Sequence, residues 1–91
     1  MATVGSDLPT LQDLYRKLVD AANQVGSLRS SVDSSVNNAV WIGPNADKFR
    51  TAWTGFNRTL TEIQSVLTEG SVDVKNQHNN IALATGMPDR I

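Results

Sequence analysis

The sequence predicts an all-α fold, an antiparallel helix–turn–helix hairpin that pairs into a four-helix bundle dimer. Three observations predict it. Two long stretches repeat apolar residues at steps of three and four, the spacing of one helix face. One cluster of breakers, Val40-Trp41-Ile42-Gly43-Pro44-Asn45, separates them. The apolar rows are also wider than the strict seam that two helices share, so part of each must face outward.

The chain reads as a single domain over residues 1–91. Met1 to Ser6 is small and polar, a loose end. Two starts compete for the first helix: Thr10 with Asp13 three residues on has the form of a capping box, and Asp7-Leu8-Pro9 begins it a turn earlier. The helix is expected over about 8–40. Its stripe is Leu11, Leu14, Leu18, Ala21, Val25, Leu28, Val32 and Ala39, with Ser35 in the one polar slot and Gly26 as a weak point.

The turn is expected at 41–43. Gly43 can take the positive φ that reverses a chain, and Pro44 suits the first turn of a new helix. The second helix is expected over about 44–84. Its stripe is Ala46, Phe49, Trp53, Phe56, Leu60, Ile63, Leu67, Gly70, Val74 and Ile81, with a polar slot at Gln77. Gly86-Met87-Pro88 ends it, and a flexible tail runs to Ile91. Helices of ~30 and ~38 residues span roughly 45 and 57 Å, so one hairpin is a rod without a third layer.

Such a rod has a thin core. A chain of 91 residues buries only about 60% of its unfolded surface, and it has no cysteine to staple it. Tyr15, Val19, Ala22, Val36 and Val40 widen the first stripe, and Ala52 and Val66 the second. Exposed apolar rows of this length mark an interaction surface, and a second hairpin is the simple cover.

Composition excludes several other classes. Lys+Arg 8 against Asp+Glu 9 gives a net charge of -1, with no basic excess for nucleic acid and no basic amphipathic face for a membrane. Only 5% of residues are aromatic, too few for a base-stacking platform. No apolar run approaches ~20 residues, the length of a membrane span. Met1 to Thr10 lacks the basic region and apolar run of a cleavable signal peptide, so export is expected to use another route.

The segment from Trp41 to Trp53, with its Trp-Xaa-Gly at mid-chain between two amphipathic helices, resembles the WXG family. These are the small early-secreted-antigen-like substrates of type VII secretion. Ala46, Phe49 and Trp53 recur on the next helix as the family's pattern does, and the likeness covers nearly the whole chain. The resemblance implies a secreted, non-enzymatic protein with a cytoplasmic pool before export. It implies that Trp41 and Gly43 form half of an export signal. It also implies another WXG-type chain as partner, a heterodimer in preference to a homodimer, carried to the secretion ATPase as the dimer.

The chain departs from the family at its tail. The family's signal is Tyr-x-x-x-Asp/Glu after the second helix, whereas the only tyrosine here is Tyr15 in the first. Ile81, Leu83 and Met87 stand where the signal is expected and are the candidate tail contacts to the ATPase. The chain therefore resembles the member of a pair that is co-exported with a tail-bearing paralogue. The other reading is a cytoplasmic helical adaptor whose Trp-Xaa-Gly turn is only structural.

No catalytic, cofactor or metal site is expected. His78 with Glu69 and Asp73 reads as a solvated face, because three or four ligands in tight geometry are needed to hold a metal. Ser30, Ser31, Ser34 and Ser35 read as a polar helix face. Arg29, Asp33 and Arg50 read as surface charges. The expected packing residues of the hairpin and its dimer are Leu11, Leu14, Leu18, Val25, Leu28, Val32, Phe49, Trp53, Phe56, Leu60, Ile63 and Leu67.

Overall fold

The computed structural model describes residues 7–87 and 90–91. It contains two helices, α1 (Leu8–Asn38) and α2 (Pro44–Ala84), and no strand among the described residues. The loose end read at Met1 to Ser6, and Pro88 and Asp89 of the expected tail, lie outside the described residues.

Asp7 starts α1. Its carboxylate accepts from the Thr10 backbone N–H at 3.2 Å, and its carbonyl accepts from the Thr10 hydroxyl at 2.9 Å. One of the orphan amides of the first turn is thereby satisfied, and Pro9 sits where no N–H is needed. The capping box read at Thr10 and Asp13 does not form. Asp13 instead makes an exposed ion pair with Lys17 four residues on, at 2.8 Å. That hydrogen bond, with the carboxylate charge, holds the Lys17 ammonium above its ordinary value.

α1 stops at Asn38, two residues before the boundary of 40 read from the sequence. Ala39 is already extended, at φ -69 and ψ 132. The loop therefore runs from Ala39 to Gly43 rather than over 41–43 alone. Gly43 has φ 133 and ψ 175, a region open only to glycine. It is the residue that lets the chain reverse, and Pro44 follows as the first residue of α2.

The helices are antiparallel. Pairs across the seam run in opposite directions: Asp33 with Trp53, Arg29 with Asn57 and Gln64, and Leu18 over Gly70. The result is a lath of 63 × 23 × 14 Å with a radius of gyration of 19.4 Å. A compact globule of this length would have a radius of about 12 Å.

The seam is thin. Its buried members are Ala22 on α1 and Ala46, Trp53, Leu60, Ser71, His78 and Ala82 on α2. No large side chain is fully buried. On α2 the burial follows seven-residue steps from Ala46 to Leu60, then moves by eleven to Ser71. The apolar stripe keeps its step of seven through Leu67, Val74 and Ile81, and these are only half-buried. A straight helix lags a seven-residue repeat by about 20° per repeat, so the stripe rotates off the seam and an eleven-residue step restores it. That is why a serine and a histidine, not two leucines, face α1 near the open end.

Candidate partner-binding face

The apolar stripes and the intramolecular seam do not coincide. On α1 the seam runs through Tyr15, Ala22, Arg29 and Val36, one heptad row. The leucine stripe lies to one side of it: Leu14 is 43% exposed and Leu28 is 53% exposed. Leu11, Leu18, Val25 and Val32 lie between, half-buried. On α2 the aromatic row Phe49, Phe56 and Ile63 is displaced in the same way, at 44%, 58% and 44% exposed. Only Trp53 and Leu60 of the expected packing residues are buried within the hairpin, and Leu67 is half-buried.

The two displaced rows lie on the same side of the lath. Going round antiparallel neighbours from their shared seam, equal angular offsets fall on one face. The grooves agree with this. Val32, Val36 and Ala39 of α1 line one groove of about 230 Å³ together with Trp41 and with Phe49 of α2. A second apolar groove, about 310 Å³, lies along α2 beside Ile63, Val66 and Leu67. The opposite face is polar, with Asn23, Gly26, Ser27, Ser30 and Gln64 around a shallow open depression.

Polar side chains set the register that leaves this face free. The Trp53 indole N–H donates to Asp33 Oδ1 at 3.1 Å. Arg29 donates through Nε to Asn57 Oδ1 at 2.8 Å and through Nη1 to Gln64 Oε1 at 3.0 Å. Gly26 allows the Gln64 amide to lie close, since a Cβ there would stand 2.8 Å from Gln64 Nε2. Asp33 and Arg29 are therefore seam residues and not the surface charges read from the sequence.

The turn carries its own fastening. Arg50 donates through Nη1 to the Trp41 carbonyl at 2.8 Å and through Nη2 to the Ala39 carbonyl at 3.3 Å. A guanidinium fork spans both acceptors, which a lysine could not do. Sequence reading missed this because nothing local marks an arginine nine residues after its acceptor. The held loop points its side chains outward: Val40 is 95% exposed and Ile42 is 92% exposed. Trp41 rests on Phe49, with ring centroids 5.8 Å apart and planes at 48°, and stays 45% exposed. The buried wedge expected at Trp41 is thus half-formed, and its free surface continues the apolar face.

At the open end the outcome differs from expectation again. His78 is 2% exposed, buried against α1 and not on a solvated face. It meets no carboxylate cluster, and no group of three or more metal-ligating side chains occurs among the described residues. Of the expected tail contacts, Leu83 is 66% exposed, Ile81 half-buried, and Met87 lines a small cavity with Leu8, Pro9, Gln12 and His78. No described helix is long and apolar enough to cross a membrane. No protein-family model, curated protein or solved structure matches the chain.

Proposed function

We propose that this chain is a non-enzymatic partner protein whose apolar face is covered by a second helical hairpin. The observation that carries the reading is the one-sidedness of the lath. Leu14, Leu28, Phe49, Phe56 and Ile63 expose large apolar surface on one face, while the hairpin's own seam is held largely by alanine and polar contacts. A two-helix layer with one apolar face completes a core when a second such layer is laid on it, giving a four-helix bundle.

The Trp41-Ile42-Gly43 turn supports a more specific form of this reading. The chain resembles WXG proteins in that motif and its placement, and the turn's apolar tip is held rigidly outward by Arg50. The partner is then another WXG-type chain, a tail-bearing paralogue in preference to a second copy. The pair leaves the cell by type VII secretion through its ATPase, with Trp41 and Gly43 as this chain's share of the signal.

Light scattering tests the pairing. The purified chain is measured alone and mixed with the product of a neighbouring gene that carries Trp-Xaa-Gly and Tyr-x-x-x-Asp/Glu. A 1:1 complex supports the heterodimer, and a stable monomer in every mixture sinks the pairing. Culture supernatant compared with lysate, with and without the ATPase, tests export. Retention in the lysate in both strains favours the cytoplasmic adaptor.

A further inference from the structure

At the open end of the hairpin the chain turns back on itself. Gly86 adopts φ 72, and the Met87 N–H donates to the Ala82 carbonyl at 2.8 Å while the Gly86 N–H donates to that of Leu83 at 3.3 Å. This pair of bonds is a Schellman motif, which ends α2 and sends the following residues back along it. Twelve residues after Asn79, Ile91 meets the Asn79 side chain. Its N–H donates to Asn79 Oδ1 at 2.9 Å, and its main-chain oxygen accepts from Asn79 Nδ2 at 3.0 Å. One amide side chain thus satisfies both backbone groups of one residue, as a neighbouring β-strand would.

His78 fixes which way that amide points. Its Nδ1 lies 3.1 Å from Asn79 Oδ1. Oδ1 therefore accepts from the Nδ1–H tautomer as well as from Ile91, and Nδ2 is left to donate. Met87 closes the other side, against Leu8, Pro9, Gln12 and His78. The returning segment thereby touches the end of α2 and the beginning of α1 together.

We propose that Asn79 is the catch of a latch that holds this segment across the open end of the hairpin. While it is closed, Ile91 and Met87 are engaged within the chain and are withheld from any other protein, and α1 is pinned where its first turn would otherwise fray. Opening needs only two hydrogen bonds to break, so the latch can be displaced without unfolding either helix. The proposal requires no partner and stands or falls apart from the pairing described above.

Amide hydrogen exchange followed by NMR on the whole chain tests it. In the unaltered chain the Ile91 amide exchanges about tenfold more slowly than in Asn79→Ala, the loss expected for two net hydrogen bonds. Gln12 exchanges faster in the variant as well, while helicity by circular dichroism is unchanged, since alanine favours the helix. Asn79→Asp, which keeps the acceptor but loses the donor, gives intermediate protection. An Ile91 amide that exchanges equally fast in all three chains overturns the latch. So does one that stays equally slow in all three.

Discussion

The indole N–H of Trp53 on α2 is bonded to the Asp33 carboxylate on α1 at 3.1 Å, and this bond sets the register of the hairpin near its turn. Trp53 is among the buried side chains, so its N–H has no easy recourse to water. Asp33→Ala strands that donor and should cost about 1–3 kcal/mol. Asp33→Asn keeps an acceptor and should cost clearly less. Urea unfolding of the isolated chain measures both, and equal midpoints for the two variants would refute the role of the bond.

Two glycine-to-alanine changes should act in opposite directions. Gly43→Ala meets no atom within 4 Å, yet its φ of 133 lies where side chains do not go, so it should cost about 1–3 kcal/mol. Gly55 is helical and equally open, so Gly55→Ala should stabilise by about 0.4–1 kcal/mol through the unfolded state. Thermal melts of the two variants then shift to opposite sides of the unaltered chain.

Arg50→Lys keeps the charge and loses the fork. The bonds to Trp41 and Ala39 are exposed, so the stability lost should be modest, about 0.5–1.5 kcal/mol. The larger effect is on order: backbone order parameters of Val40 to Gly43 should fall while those of both helices hold. An unchanged loop would show that the fork is dispensable.

The face and the seam are separable by substitution. Leu28→Gln with Phe56→Gln alters two exposed side chains, and stability of the isolated chain should stay within about 0.5 kcal/mol per site. Association with a partner hairpin should be lost. Leu60→Ala, at a position 8% exposed, should instead cost about 2–5 kcal/mol in the isolated chain. If the double variant still pairs normally, this face is not the contact.

Much of this architecture is readable from the sequence, and one relation is not. The two helices, the reversal at Gly43 and the apolar rows follow from local rules of spacing and backbone freedom. Which part of a broad apolar face meets the other helix does not, because periodicity measures a residue's angle only against its own helix. Leu14 and Leu28 have the right spacing for a seam and lie beside it, while Ala22 is buried. Arg29 and Asp33 look like solvated charges until Asn57, Gln64 and Trp53 come opposite them. His78 and Ser71 are buried by rotation of the stripe that accumulates over several turns, which no short window reports.

The single seam also dictates how the hairpin closes. Contacts near Gly43 join residues close in sequence, such as Arg50 and Trp41, nine apart, and little chain entropy is lost in making them. Leu18 and Gly70, 52 apart by subtraction, meet only after everything between has paired or across a far larger loop. With no third element to bridge distant parts, each rung must be laid upon the last. The molecule is a zip fastener with its slider starting at the Arg50 clasp, and its weakest teeth are those farthest from the turn.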